Sequence, residues 1–256
     1  MPHRDDAGSF VRRAKAMPNA IDIENFSYKY PDGTAALSDI TLNVEHGRKV
    51  ALIGPNGAGK STLLLAMAGF VKGDGRVLID GLEINRKNLK QIRAWVGSCL
   101  ENPDDQLFMP TLFDDVAFGP LNMGLGTEQV KERVADALQT VGLAEMGDKA
   151  PHHLSAGQKR AAAIATILSM TPKIITLDEP DGSLDPRNRN NLIKLLGSLS
   201  QTLIIATCNM NFAAVLADRA VLLDKGHIIA DGKAKIIMSD SKLMNEHGLE
   251  VPTISS

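Results

Sequence analysis

The stretch from residue 54 to residue 62, GPNGAGKST, constrains the fold of this chain more than any other. It matches the pattern G-x-x-x-x-G-K-[ST] in full. An apolar strand segment at residues 49–53 precedes it, and an apolar helical segment follows as far as Ala68. The glycines let backbone N–H groups turn towards phosphate oxygens, and the start of a helix adds positive partial charge. A chance glycine-rich turn would lack this context, so the stretch predicts a phosphate site.

The last side chains of this loop predict what it binds. We expect the Lys60 ammonium to reach the β- and γ-phosphates of a nucleotide such as ATP, and the Ser61 hydroxyl to bind Mg²⁺. The backbone of the loop should surround the same phosphates. The predicted nucleotide-binding residues are therefore Gly54, Pro55, Asn56, Gly57, Ala58, Gly59, Lys60, Ser61 and Thr62.

A second motif follows the apolar segment at residues 173–177, where Asp178 and Glu179 come at the end of a predicted buried strand. A carboxylate at this position can hold Mg²⁺ and its water shell. The neighbouring Glu179 can orient or deprotonate an attacking water. An Asp-Glu pair alone is common at surfaces, but together with an upstream phosphate loop it predicts nucleotide hydrolysis.

Strand segments alternate with helical segments along most of the chain, which is typical of a parallel α/β sheet. Before the phosphate loop, residues 21–28 and 40–44 alternate apolar and polar side chains, as strands with one buried face do. Residues 102–153 differ, because Thr127 can cap a helix that has apolar residues on one face. This stretch predicts a helical insertion.

The composition excludes several classes of protein. The 256 residues carry 28 basic and 30 acidic side chains, and this balance predicts no nucleic-acid partner. Cys99 and Cys208 are too far apart in sequence for a disulfide framework, which favours a reducing compartment. The nearly apolar residues 161–170 are too few to cross a membrane. Residues 1–18 predict a flexible charged arm without a secretory signal, and Met17 is an alternative start.

Three further segments resemble the ABC-type ATPases. Residues 154–158 (LSAGQ), which come shortly before the Asp178 strand, resemble the signature sequence of that family. Residues 183–185 (SLD) resemble its loop after the catalytic glutamate, and Tyr30 resembles its adenine-stacking aromatic residue.

This resemblance implies an architecture and a working unit. The implied fold is α/β, an ABC-type P-loop NTPase with a RecA-like core sheet, an N-terminal antiparallel β part and a helical subdomain. The domain would cover residues 19–251, with the helical subdomain at about 102–170 and a C-terminal tail at 252–256. In that family two subunits sandwich ATP head to tail, so the signature of one covers the phosphate loop of the other. The residues implied to bind nucleotide in this way are Ser155, Gly157, Gln158 and Asp185.

A narrower resemblance is to the ATPases of energy-coupling-factor importers. Residues 101–108 (ENPDDQLF), 115–122 (DVAFGPLN) and 247–252 (HGLEVP) resemble the cobalt and nickel branch, although vitamin importers of the same group are similar here. The resemblance implies an ATP hydrolase that powers import from the cytoplasmic face of the inner membrane. Its implied partners are integral membrane energy-coupling and substrate-binding subunits and a second ATPase subunit, either identical or paired.

Four positions depart from the pattern of the family. Cys208 stands where the family usually has a histidine that contacts the γ-phosphate, and Glu101 where it usually has a glutamine that contacts Mg²⁺. Ala156 replaces a signature glycine, and Ala161 stands where arginine is common. A thiol is a weaker donor than an imidazole. The implied catalytic residues are Glu179, Lys60, Cys208 and Glu101, and the implied metal ligands are Ser61, Asp178 and Glu101.

The departures leave three hypotheses open. The first is an active import ATPase, which the intact phosphate loop and Glu179 favour. The second is a regulatory ATP-binding subunit with slow hydrolysis. The third is a soluble ABC-type ATPase that acts on DNA or ribosomes, although the sequence has neither the long coiled-coil insert nor the second cassette usual in such proteins. Cys208 itself either contacts the γ-phosphate or fills the core.

Overall fold

The computed structural model describes residues 18–253 as an α/β structure. The strands are β1 (Ile21–Lys29), β2 (Ala35–Val44), β3 (Lys49–Ile53), β4 (Asp74–Ile79), β5 (Leu82–Glu83), β6 (Val96–Cys99), β7 (Ile174–Asp178), β8 (Thr202–Ala206), β9 (Arg219–Asp224) and β10 (His227–Lys233). The helices are α1 (Lys60–Met67), α2 (Leu89–Trp95), α3 (Leu112–Asn122), α4 (Thr127–Thr140), α5 (Ala156–Leu168), α6 (Pro186–Ser198), α7 (Met210–Leu216), α8 (Ala234–Ser239) and α9 (Ser241–Glu246).

A six-stranded sheet lies at the centre, in the order β10-β9-β3-β8-β7-β6. The edge strand β10 pairs antiparallel with β9, and all other neighbours pair parallel. Strands of a parallel sheet are covered on both faces, which explains why β3, β7 and β8 are continuous apolar runs. In β8, Ile204 packs into one core cluster while Leu203 and Ile205 pack into another with α5 and α6.

A second, antiparallel sheet has the order β2-β1-β4-β5. Together with α1, it packs into the core cluster that contains Ile204. Strand β2 begins at Ala35, earlier than the predicted residue 40. The sequence does not indicate this start, because only Leu37 of the first five residues is buried and burial alternates regularly only from Ile40. This early start matters for the site. A side chain at Gly59 would lie 2.7 Å from the carbonyl oxygen of Ala36, so β2 and the phosphate loop are in close contact.

Helices α3, α4 and α5 surround a core cluster of their own, which includes Val116, Val134 and Ala162. Helix α5 also packs against the six-stranded sheet through Ile164 and Ile167. The predicted helical insertion is therefore confirmed, and α5 joins it to the central sheet. The domain limits given above stay a prediction.

The predicted helix cap at Thr127 is wrong by one position. Gly126 is the capping residue, with extended backbone angles of φ −69° and ψ 156°, and Thr127 is already helical. The Gln129 side chain accepts a hydrogen bond from the Gly126 N–H at 3.4 Å, so a side chain inside the helix satisfies the backbone group before it.

Across residues 18–253, none of the helices is both long enough and apolar enough to cross a membrane. The predicted flexible arm lies outside the described residues except for Pro18, and so does the end of the predicted C-terminal tail after Thr253.

Candidate nucleotide-binding and hydrolysis site

The phosphate loop runs from the end of β3 to the start of α1, and two of its glycines allow close packing. Gly54 has φ 153° and Gly59 has φ 105°, angles that L-residues with a side chain rarely adopt. A Cβ atom at Gly54 would lie 2.1 Å from the carbonyl oxygen of Leu223. These positions therefore require glycine, because the loop packs directly against the ends of β9 and β2.

The loop lies along one side of a cleft of about 770 Å³ that collects residues from distant parts of the sequence. Tyr30 and the start of β2 form one wall, and the loop with α1 forms another. Glu101, Glu179 and Cys208 follow the ends of β6, β7 and β8, which meet at one edge of the sheet. The predicted residues lining the cleft are Tyr30, Asn56, Gly57, Ala58, Gly59, Lys60, Ser61, Thr62, Glu101, Glu179 and Cys208.

Lys60 provides a buried positive charge in this cleft. Its side chain is 6% exposed, and its ammonium donates hydrogen bonds to the carbonyl oxygens of Gly54 at 2.8 Å and Pro55 at 3.3 Å. The Glu179 Oε1 atom lies 3.6 Å away. An ammonium held by carbonyl groups beside the loop is placed to bind phosphate oxygens.

Cys208 is exposed in the cleft, so the interpretation of this residue as core filler is wrong. Its Sγ atom lies 3.1 Å from Lys60 Nζ and 3.3 Å from Asn56 Oδ1. Partial desolvation by the cleft walls raises the pKa of the Cys208 thiol, the Glu179 carboxylate raises it further, and Lys60 opposes the shift. The group at this position is therefore a neutral thiol at pH 7, a weak donor.

Glu179 is held in the cleft by strained backbone. Its φ is 39°, in the left-handed region that residues other than glycine seldom adopt. Its N–H donates to the Ala206 carbonyl at 2.8 Å, and its Oε2 atom accepts a hydrogen bond from the Cys208 N–H at 3.0 Å. Strain of this kind persists where the surroundings enforce it and is common at functional sites. The carboxylate can accept a proton from water in the cleft.

Asp178 has the features of a cation ligand. Its Oδ1 atom is buried and has no hydrogen-bond partner within residues 18–253. Burial raises the pKa of Asp178, the Ser61 hydroxyl opposes this shift, and the nearby Glu179 and Glu101 carboxylates add to it. A cation would satisfy the orphaned oxygen. Carboxylate and hydroxyl oxygens suit Mg²⁺, which usually takes one or two carboxylates and completes its shell with water and substrate phosphates.

The signature segment borders the cleft without lining it, because Leu154 and Ala156 share a second pocket with Glu101 and Gly182, which line the cleft. Ser155 caps α5, because its Oγ atom accepts from the Gln158 N–H at 3.3 Å and its own N–H donates to Gln158 Oε1 at 2.9 Å. A side chain at Gly157 would lie 2.5 Å from Asn188, which in turn binds Asp185. Among the described residues that line the cleft there is none from this segment.

Asp185, the other residue implied to act across two subunits, is the N-cap of α6. Its Oδ1 atom accepts from the Asn188 N–H at 2.8 Å, and this bond lowers the pKa of the carboxyl. Asp185 therefore lies beside the signature segment and not in the cleft of the same chain.

Sequence reasoning missed Arg160, which positions the backbone of Glu101. Its guanidinium is 3% exposed and donates to the carbonyl oxygens of Leu100 at 2.7 Å and Glu101 at 2.6 Å. Gln106 adds a second link, because it accepts from the Leu100 N–H at 3.1 Å and donates to Ala163 at 2.9 Å. The sequence signal for such a buried arginine was its position within an alanine-rich helical segment.

The chain is similar in sequence to known proteins. A family model described as ABC transporter matches residues 37–182, more than half of the chain. The chain is 44% identical to a putative ABC transporter ATP-binding protein of Streptomyces coelicolor, over 92% of this chain and 91% of that protein. It is 45% identical to the energy-coupling factor transporter ATP-binding protein EcfA of Methanothermobacter thermautotrophicus, over 91% of this chain and 76% of that protein.

Solved structures are similar over most of the chain. The structure of cbiO1 from Clostridium perfringens, described as part of the ABC transporter complex cbiONQ, has a TM-score of 0.80 at 36% identity and covers 90% of this chain and 94% of that one. The dimeric ATP-binding cassette MJ0796, bound to ADP and Pi in a post-hydrolysis state, has a TM-score of 0.75 at 27% identity and covers 84% and 98%. The chain therefore belongs to the ABC transporter family, as an ATP-binding and ATP-hydrolysing subunit of the energy-coupling-factor type.

Proposed function

We propose that this protein is the ATPase of an importer that takes up a transition-metal ion, with cobalt or nickel as the cargo. The observation that carries the proposal is the likeness over nine-tenths of the chain to cbiO1, which is part of a transporter complex. The segments at residues 101–108 and 115–122 support the same branch. The ion itself would pass through membrane subunits and need not touch this chain.

The cleft supports a division of roles during hydrolysis. Lys60 would bind the β- and γ-phosphates, Ser61, Asp178 and Glu101 would hold Mg²⁺, and Tyr30 would pack against the adenine. Bound Mg²⁺ would neutralise charge on the phosphate oxygens. Glu179 orients the attacking water and takes its proton. The neutral Cys208 thiol donates weakly near the γ-phosphate, where a stronger donor would stabilise the transition state more.

The working unit is a head-to-tail pair of ATPase subunits. In one chain the residues of the signature segment do not line the cleft at the phosphate loop, so each segment would supply half of a nucleotide site. In the pair, Ser155, Gly157, Gln158 and Asp185 of one subunit would complete the cleft of the other. The dimer reported for the cassette MJ0796 supports this arrangement.

A groove between α2 and α3 suits the membrane partner. Phe118 is 44% exposed and lines the groove, and Phe108, 62% exposed, packs edge-on against it with 5.2 Å between ring centroids. Exposed aromatic patches of this kind mark interaction sites. Basic side chains line the same groove of about 990 Å³, namely Arg86, Lys87, Lys90 and Arg93. We assign it to a cytoplasmic helix of the membrane subunit that carries apolar and acidic side chains.

Transport by membrane vesicles tests the proposal. The chain is expressed with candidate membrane subunits, and accumulation of Co²⁺ and Ni²⁺ is measured in right-side-out vesicles loaded with ATP. We expect accumulation of one of these ions with the unaltered chain and none with Lys60→Ala. Phe118→Asp should abolish uptake while leaving ATP binding intact. ATP-dependent uptake of a vitamin without either metal would contradict the assigned cargo.

A further inference from the structure

Asp181 is a buried carboxylate that binds both neighbours of Cys208. Its side chain is almost fully withdrawn from solvent, with 4% of the residue exposed. Its Oδ1 atom accepts a hydrogen bond from the Thr207 hydroxyl at 3.0 Å, and its Oδ2 atom accepts one from the Asn209 side-chain amide at 2.7 Å. One carboxylate therefore fixes the residues on either side of the cysteine.

The segment that Asp181 binds is also fixed to the rest of the sheet. The Thr207 N–H donates to the Leu52 carbonyl at 3.1 Å, and the Thr207 hydroxyl accepts from the Asn209 N–H at 3.0 Å. The Asn209 Oδ1 atom accepts from the Phe212 N–H at 3.1 Å and so caps α7. Because each of these hydrogen-bond donors faces an acceptor, the turn after β8 has one preferred geometry.

The other end of this contact lies in the loop that carries Glu179. Asp181 follows Glu179 by two positions, and the Gly182 N–H donates to the Glu179 carbonyl at 3.1 Å. Asp181 also lies 3.8 Å from Arg189 Nε, which supplies a positive charge to the buried carboxylate. The Asp181 side chain thus connects the Glu179 loop to the Cys208 segment, in addition to the hydrogen bond between Cys208 N–H and Glu179.

We propose that Asp181 is a positioning residue for hydrolysis, which holds Glu179 and Cys208 in register without touching the nucleotide. It is absent from the described residues that line the cleft. This inference rests on the proposed role of Glu179. Because a misplacement of about 1 Å at a reacting group can lower the rate by roughly 100-fold, Asp181 should control turnover and leave ATP affinity unchanged.

A reciprocal exchange of side chains tests this role. Asp181→Asn places an amide donor against the Asn209 amide, and we expect kcat to fall by about 10- to 100-fold with an unchanged Kd for ATP. Asn209→Asp places two carboxylates together and should reduce kcat as well. In the double variant an amide at position 181 again faces a carboxylate at position 209. That carboxylate can still accept from the Phe212 N–H and so cap α7. The double variant should therefore recover most of the lost kcat.

Two further variants separate positioning from folding. Thr207→Val changes the volume little and removes both hydrogen bonds of the Thr207 hydroxyl, to Asp181 and from the Asn209 N–H, so it should also lower kcat. Asp240→Asn, at the cap of α9 outside the cleft, is the matched control and should keep both kcat and ATP affinity. Melting temperature is measured for every variant.

Wild-type kcat for Asp181→Asn would overturn the inference. So would a parallel loss of kcat, ATP affinity and melting temperature that the double variant does not reverse, since this result would mark a purely structural role. Glu179→Gln is measured alongside. Undiminished hydrolysis by that variant would instead refute the role proposed for Glu179, whatever the Asp181 variants do.

Discussion

The Lys60 ammonium and the Glu179 carboxylate are 6% and 24% exposed and lie 3.6 Å apart, so their charges interact with little screening by water. Each also has backbone partners, because Lys60 binds loop carbonyls and Glu179 accepts from the Cys208 N–H. A buried charge that loses its partner is costly. Substitutions at this pair should therefore have large effects on nucleotide binding or turnover.

We expect Lys60→Ala to weaken ATP binding by about tenfold or more, because hydrogen bonds to charged groups contribute roughly 1.5–3 kcal/mol. Binding is measured by titration with ATP, and turnover by phosphate release. Lys242→Ala, at an 85% exposed side chain on α9, is the matched control and should bind ATP normally. Wild-type binding and turnover in Lys60→Ala would contradict the assignment of the phosphate site.

Cys208→His should raise turnover. Loss of a donor to a developing charge typically costs about 10²–10³ in rate. Full recovery of turnover is not expected, because Glu101 and Ala156 would still depart from the pattern of the family. We predict a gain in turnover of about tenfold, which corresponds to about 1.4 kcal/mol of the activation barrier. Cys208→Ser, which keeps a small donor, should gain less. ATP turnover and melting temperature are measured on the same preparation, and unchanged or lower turnover in the histidine variant would contradict the γ-phosphate role.

At the scale of elements, helix α5 connects the signature segment to two core clusters. Its first turn is closed by the reciprocal Ser155 and Gln158 hydrogen bonds, and its buried face packs against the central sheet and against α3 and α4. Arg160 extends from the same helix to the Glu101 backbone. A change at the start of α5 should therefore affect both stability and the position of the signature.

Ser155→Ala should lower the free energy of unfolding by about 1 kcal/mol, because it removes the side chain that caps α5. Urea denaturation of the two proteins measures this difference. Ser155→Thr keeps the hydroxyl and is the matched control, with a smaller expected loss. A stability equal to that of the unaltered protein in Ser155→Ala would show that this cap does not contribute to folding.

Sequence patterns located the central strands well and the outer ones less well. The apolar run of β3 was bounded correctly at both ends, and β7 was placed within one residue of its observed limits, because buried parallel strands are continuous apolar segments. Strand β2 begins with the exposed Ala35, and its predicted start at residue 40 is too late. Thr127 is not the cap of α4, because the N-cap residue is Gly126, whose N–H is bonded by the Gln129 side chain from inside the helix.

The site was predictable where one motif determines it. The structure brings the predicted phosphate loop and Glu179 into one cleft, and both could be picked out because their residue types, order and context are specific. Asp181 and Arg160 were not, because their burial and hydrogen bonds depend on segments distant in sequence, such as Thr207 and Leu100. No local pattern distinguishes a charged residue that will be buried in this way from one on the surface.

At the scale of the whole molecule, the proposed working unit needs two subunits, because the signature segment does not line the cleft of its own chain. In the proposed cycle, ATP would bring two copies, or this chain and a paired subunit, together around the nucleotide. Hydrolysis would then release them. This cycle of closing and opening would move the proposed membrane subunits, which would contact the ATPase at the groove that contains Phe118.

The most direct test is the assembly state of Glu179→Gln with ATP and Mg²⁺, measured by light scattering during size-exclusion chromatography. The amide cannot take a proton from water, and it no longer repels the γ-phosphate, so ATP should bind without being hydrolysed. We predict a stable ATP-dependent dimer, which Lys60→Ala in the same chain should abolish. A Glu179→Gln variant that binds ATP in the presence of Mg²⁺ but remains monomeric would contradict the head-to-tail account.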